Sequence, residues 1–325
     1  MNEVDDSLGS RQPIEAPTER RNPATTDLDL MSTLEVLRRI NAEDACVPAA
    51  VGLTLPSIAR AVDLAVAVLS SAGSLHYFGA GSSGRVAAMD AAELSPTFAL
   101  EPGRVVAHHA GGREALDTAL EGVEDDEAAG RAEAEALGPG DLAMGLTASG
   151  RTPYVAGALA GARAVGAATV LVSSNPDAPI ARLADVHICV ETGPEVLTGS
   201  TRMKAGTAQK LVLTAFSTAT MVRLGRTYSN LMTSVVAKNA KLHGRMVAIL
   251  AEATGQDLDT CARALADSDR DLKLALVRLL APADRQPAQD ALDAHDGVVR
   301  AALHSLNGGA SHSTHSEANT RGAPT

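Results

Sequence analysis

Three short stretches of this 325-residue chain place glycines and hydroxyl side chains where an apolar run gives way to a helical pattern. The first is Gly79-Ala80-Gly81-Ser82-Ser83-Gly84-Arg85, which follows the run Leu75–Phe78 and precedes an alanine-rich stretch. Glycines let the backbone approach a ligand closely, and the N–H groups at a helix start point at an anion. The second, Ala148-Ser149-Gly150-Arg151-Thr152-Pro153, follows Leu142–Leu146 and puts Pro153 where a helix's first turn accepts it. The third is Thr198-Gly199-Ser200-Thr201-Arg202-Met203-Lys204. Lys204 is one of five lysines in the chain and falls at a helix start, where the dipole disfavours a cation and a neighbouring anion would answer it. Together the three turns have the make-up of a site for a phosphate monoester on a hydroxyl-rich group. Gly81, Ser82, Ser83, Ser149, Gly150, Ser200, Thr201 and Lys204 are the expected contacts.

Nucleotide readings fit less well. A pyrophosphate requires bare backbone where Ser82 and Ser83 stand, and the next apolar run ends in His108-His109 rather than in an acid for a ribose. The GK[ST] ending of a P-loop is missing from the first turn. Two carboxylates draw notice: Glu93, about two helical turns beyond the first loop, and Glu124, in Gly122-Val123-Glu124-Asp125-Asp126. By composition alone each reads as a solvated surface acid.

The elements that must carry these turns follow from pattern. Short apolar runs at Leu75–Phe78, Val105–Ala107, Leu142–Leu146, Thr169–Val172 and Val186–Val190 are separated by stretches long enough for crossover helices. This alternation predicts an α/β fold, a doubly wound parallel five-stranded sheet flanked by helices, with ligands bound at the carboxyl ends of the strands. Ahead of it, Ser32-Thr33-Leu34-Glu35 has capping-box spacing, and a second helix is predicted from near Val47 to Ser70. After Ser200 the pattern is helical to about Ala253, and three short helical patterns from Leu258 to Leu303 are interrupted by Pro282, Pro287 and Gly297. The expected organisation is a loose arm over 1–17, the main domain with its N-terminal helices over 18–253, a small helical subdomain over 254–305 and a disordered tail over 306–325.

Composition narrows the class of partner. Hydrophobic residues at 45% and charged residues at 21% allow a large core, and a net charge of −11 argues against nucleic acid. No apolar run reaches the ~18 residues of a membrane span, and the first residues lack a secretory signal's apolar core, so a cytoplasmic protein is expected. Cys46, Cys189 and Cys261 form neither a disulfide framework nor a metal-type spacing.

From Thr18 to about Arg245 the chain resembles the N-acetylmuramic acid 6-phosphate etherases, a bacterial branch of the sugar isomerase (SIS) fold. The resemblance runs in order through Thr18-Glu19-Arg20-Arg21-Asn22, the capping box, the first glycine turn, Glu121-Gly122-Val123-Glu124-Asp125, the second turn and Ser174-Asn175-Pro176. Its longest stretch extends from Gly193 to Leu211. Where the family usually has Asp-Ala-Ser-Glu-Cys-Pro-Pro-Thr, this chain has Asp90-Ala91-Ala92-Glu93-Leu94-Ser95-Pro96-Thr97.

The resemblance implies removal of D-lactate from a muramic acid 6-phosphate by elimination and hydration, with Glu93 matched to the family's proton donor and Glu124 to its second catalytic acid. It implies no metal and no redox cofactor, a small-molecule sugar phosphate as partner, no membrane, a homodimer and a UBA-like character for the helical subdomain. A SIS sugar-phosphate isomerase and a non-catalytic sugar-phosphate regulator, like the related glucokinase regulatory protein, share the same loops.

Overall fold

The structure, a computed structural model, describes residues 16–234 and 240–309. The chain divides into two compact units. The described residues of Met1–Ala91 and Gly103–Ser217 form one, and those of Ala92–Pro102 and Thr218–Thr325 the other.

In the first unit the order is α1 (Thr33–Asp44), α2 (Val47–Leu53), α3 (Leu55–Ser70), β1 (Leu75–Gly79), α4 (Gly81–Phe98), β2 (Val105–His109), α5 (Glu114–Asp117), α6 (Glu127–Ala134), β3 (Leu142–Leu146), α7 (Pro153–Ala164), β4 (Ala168–Ser173), β5 (Val186–Cys189) and α8 (Lys204–Arg223). The chain of α4 and of α8 continues past the division into the second unit. The five strands form one parallel sheet in the order β2-β1-β3-β4-β5, with Leu75 level with Val105 on one side and with Leu142 on the other. This is the doubly wound parallel sheet that the five apolar runs predict. The order reverses beside β1, so β1 and β3 lead off in opposite senses and a crevice opens between their carboxyl ends.

Both faces of the sheet are covered. Phe78, Ala143 and Leu171 pack with Tyr154, Val155 and Leu159 of α7. Tyr77 meets Phe216 of α8 edge to face, and its hydroxyl donates to Asp90 Oδ2 of α4 at 3.2 Å. Ser217 Oγ donates to the other oxygen of Asp90 at 2.9 Å. A buried carboxyl thus ties α4 to β1 and to α8. On the covered face of α7, the Tyr154 hydroxyl donates to Glu133 Oε2 at 2.6 Å.

The N-terminal helices depart from the expected pattern in one place. The helix predicted from Val47 to Ser70 breaks at Thr54, whose hydroxyl donates to Val51 O, and Pro56 begins the next helix. The capping box of Ser32 and Glu35 is present as its spacing predicts. No single helix among the described residues is long and apolar enough to cross a membrane.

The second unit holds a short antiparallel pair, β6 (Thr227–Tyr228) and β7 (Leu231–Met232), then α9 (Ala240–Thr254), α10 (Leu258–Ala266), α11 (Leu272–Leu280), α12 (Arg285–Asp293) and α13 (Val299–Gly309). Met246, Leu250, Leu265, Leu276, Leu292 and Ala302 build its core. The continuous helical pattern expected after Ser200 is thus divided by a hairpin. Four short helices stand where three were expected: a break at Asp269 and Arg270, both at positive φ, separates α10 from α11. Pro287 does not interrupt a helix. It sits in the first turn of α12, where its missing N–H has no partner to lose. Of the tail expected over 306–325, the residues to Gly309 belong to α13, and Leu306 packs on this core. The rest of that tail and the arm up to residue 15 lie outside the described residues.

Burial raises the Asp90 carboxyl from 3.8 to about 6, against the lowering effect of its bonds from Ser217 and Tyr77. A folded pKa above the unfolded one gives stability that is complete below the unfolded value and lost as pH rises through the folded one. The wild-type chain is therefore expected to lose stability relative to Asp90→Asn as pH rises from 3.8 through about 6. Urea unfolding of both proteins across that range reads the difference. A constant gap would mean that Asp90 ionises as freely in the fold as in the unfolded chain.

Candidate active site

The first turn of α4 comes directly off β1. Gly84 packs so closely that a Cβ there would stand 2.4 Å from the His109 ring and 2.6 Å from Gly79 O, so only glycine fits. The first N–H groups of α4 are thereby left at the carboxyl end of the sheet, together with the hydroxyls of Ser82 and Ser83. Arg85, the cation of this turn, faces elsewhere and donates to the carbonyls of Ala115 and Leu116 at 2.9 and 2.8 Å.

The second turn is organised by its own hydroxyls. Thr147 Oγ1 accepts from Gly150 N at 3.2 Å and lies 2.8 Å from Thr152 Oγ1, while Ser149 Oγ accepts from Arg151 N at 3.2 Å. The fully buried Asn175 donates its amide to Ser149 O at 2.8 Å. Pro153 opens α7, as its position predicts.

These two turns and part of the third enclose a cavity of about 530 Å³. Gly81, Ser82, Ser83, Ser149, Thr201 and Glu124 line it, all of them sequence-predicted. Glu19, Asp125, Arg151 and Thr152 also line it. Arg151 and Thr152 stand in a motif already singled out by its glycine and serine. Glu19 belongs to a segment whose composition carried no chemical signal of its own. Of the lining residues Arg151 is the one cation, so an anion here would be held chiefly by N–H and O–H donors.

Three predicted contacts fall outside that lining. Gly150 is buried behind Ser149, and Ser200 lies beside Thr201 with its N–H on Leu197 O. Lys204 is 2% exposed, and its ammonium donates to Glu43 Oε2 of α1 at 2.7 Å. The helix-start conflict at Lys204 is answered by the chain itself. The Glu195 carboxylate, wholly buried, accepts from Lys204 N and Ala205 N at 2.9 Å each and caps α8. Burial pushes the Glu195 carboxyl up, opposed by these two N–H bonds, and the bond from Lys204 holds Glu43 down. Lys204, expected as a ligand contact, stands outside the cavity lining with its charge on a protein carboxylate.

Glu93, on the part of α4 that belongs to the second unit, is exposed and lines another cavity of about 770 Å³ with Arg245, Met232 and Leu100. The departures beside it have plain structural settings: Leu94 is buried and Ala92 is exposed. Among the described residues no group of three or more His, Cys, Asp or Glu side chains is arranged to hold a metal ion.

A parallel sheet in this order, with glycine- and serine-bearing turns at its carboxyl edge, defines a class. The SIS domain pattern matches residues 118–219, and the pattern of the glucokinase regulatory protein N-terminal SIS domain matches residues 57–163. The fold is therefore a SIS fold. Among solved structures, a phosphoheptose isomerase from Neisseria gonorrhoeae is similar at 18% identity and a TM-score of 0.44, covering 58% of this chain and 98% of that one.

Closer relatives narrow the class. The chain is 63% identical over 267 residues to the N-acetylmuramic acid 6-phosphate etherase of Thermobifida fusca, covering 82% of this chain and 88% of that protein. It is 52% identical over 288 residues to the N-acetylmuramic acid 6-phosphate etherase of Pectobacterium atrosepticum, covering 88% and 95%. The chain belongs to the N-acetylmuramic acid 6-phosphate etherase family.

The position of Lys204 has a measurable consequence. Lys204→Gln should cost about 1.5–3 kcal/mol of stability through the lost charged hydrogen bond to Glu43. Affinity for a sugar phosphate should stay within about threefold, well under the tenfold that 1.4 kcal/mol represents. Denaturant melts paired with calorimetry separate the two effects, and a selective loss of affinity would return Lys204 to the binding site.

Proposed function

We propose that this chain cleaves the D-lactyl ether of N-acetylmuramic acid 6-phosphate with water, giving N-acetylglucosamine 6-phosphate and D-lactate, as a carbon–oxygen lyase of amino sugar catabolism and cell-wall recycling. The observation that carries the reading is the extended identity with the etherases, in a chain whose Glu124 shares a cavity with the phosphate-type turns. The phosphate takes the N–H and hydroxyl donors of Gly81, Ser82, Ser83, Ser149 and Thr201.

The chemistry needs acids and bases. The open-chain aldehyde acidifies the proton on C2. A carboxylate removes it, the C3–O bond breaks, and the departing lactate oxygen takes a proton. Water then adds at C3, and a proton returns to C2. By the resemblance, Glu93 protonates the lactyl oxygen and Glu124 handles the C2 proton, or one glutamate performs both transfers in a syn elimination; of the two, Glu124 is the one that lines the loop cavity. None of these steps calls for a metal or a redox carrier.

A second copy of the chain is the partner we assign. Helix α1 buries none of its residues, and Leu34 and Leu37 on it are 55% and 58% exposed, with Leu30 and Leu53 exposed nearby in sequence. An isologous pairing through this apolar surface gives a homodimer. Location in the cytoplasm follows the same reading, since a sugar phosphate does not leave the cell and all three cysteines are free thiols. Cell fractionation reads that location.

Purified protein should release lactate from the 6-phosphate and far less from the unphosphorylated sugar. Glu93→Gln and Glu124→Gln should each lower kcat by ~10²–10⁴-fold with little change in stability. With the roles divided, Glu93→Gln still exchanges the C2 hydrogen with deuterated solvent and Glu124→Gln does not. Wild-type turnover in both variants would remove the two glutamates from the mechanism. Absence of lactate release from the wild type would favour the isomerase or regulator.

For the pairing, sedimentation velocity should show a dimer that Leu34→Glu with Leu37→Glu converts to a monomer. A wild-type monomer at micromolar concentration would contradict it.

A further inference from the structure

The segment before α1 is built into the wall of the loop cavity. Ala16 and Thr18 are fully buried, and Pro17–Glu19 forms a single 3₁₀ turn. Beyond it the chain is strapped to the 193–201 loop. Asn22 Nδ2 donates to Pro194 O at 3.4 Å, and Thr25 Oγ1 donates to Val196 O at 2.8 Å. The strap delivers Glu19 to a cavity lining whose one cation, Arg151, makes no ion pair with it. Its carboxylate lies against Gly199, which stands at φ +76°, and a Cβ on that glycine would come within 3.1 Å of Glu19 Oε2. Its hydrogen bond within the described residues is a long one from the adjacent Thr18 hydroxyl at 3.5 Å, and it makes no ion pair there. An ionised carboxylate has about four acceptor sites. Nearly all of that capacity is left for whatever enters.

We propose that Glu19 is a substrate-binding residue, accepting a hydrogen bond from a neutral donor of the sugar, a hydroxyl or the acetamido N–H. This rests on the reading of the cavity as a sugar-phosphate site. The chemistry excludes the other polar groups of such a ligand. A carboxylate repels the phosphate and the lactyl group, so the anions belong to the N–H-bearing side of the cavity and the neutral donor to the Glu19 side. Glu19 therefore fixes which way round the sugar lies, and acts on affinity more than on the chemical step.

The test uses the full chain. Glu19→Gln keeps the size of the side chain and its contact with Gly199 but removes the charge. Calorimetry with N-acetylglucosamine 6-phosphate should give a Kd raised about 10-fold, the lower end for a charge-assisted bond, with an unchanged melting temperature. Glu19→Ala, which removes the acceptor as well, should go further. In lactate release KM should rise with kcat within about threefold, the pattern of lost ground-state binding. Glucose 6-phosphate identifies the donor: an equal loss of its affinity points to a hydroxyl, and no loss to the acetamido N–H. Wild-type affinity of Glu19→Gln for both sugars would overturn the proposal. Binding is read apart from turnover, so a wild-type protein that binds these sugars but releases no lactate would fail the etherase reading and leave the role of Glu19 standing.

Discussion

The contact of the first turn of α4 with the end of β1 and β2 is the constraint on which the cavity depends. Gly84 meets His109 and Gly79 O with no space for a methyl group. Because the helix cannot back away from the sheet there, its unpaired N–H groups open at the carboxyl edge beside the Ser149 turn. A parallel sheet supplies such edges without specifying them; the glycine selects which strand end becomes a binding surface. The buried bonds of Asp90 hold the same helix from its other side, to Tyr77 and Ser217.

The charges around the site divide by function. Glu195 and Glu43 neutralise a helix start and an ammonium, and both are committed to partners within the fold. Glu19, Glu124 and Asp125 line the cavity. Lysine next to a hydroxyl-rich turn reads as a phosphate ligand in a linear sequence, because the carboxylates that claim it lie 9 and 161 positions away. Burial decides between the two roles.

This division explains what was legible in the sequence. The strands were, because each is a short apolar run bounded by turn residues, and β1 and β3 begin where the runs begin. The turns after them were legible as glycine- and serine-bearing helix starts, since these are local features, and the reading of Glu93 and Glu124 as catalytic rests on the resemblance. Breaks made by single residues escaped notice: Thr54 bends the chain between two good helical patterns, and Asp269 and Arg270 take positive φ without a glycine to mark them. Glu19 escaped for another reason. Its role follows from bonds between residues 22–25 and 194–196, a pairing that periodicity does not encode.

The chain holds three tyrosines and no tryptophan. Two of the three, Tyr77 and Tyr154, are buried with their hydroxyls on carboxylates, Asp90 and Glu133, and burial together with those carboxylates raises both phenols above their usual range. A phenol hydrogen-bonded to a carboxylate loses its excited-state energy to proton transfer. These two phenols are accordingly expected to be dim emitters in the folded molecule and to brighten when the sheet opens, one carried on β1 and one on α7, with no indole to mask them.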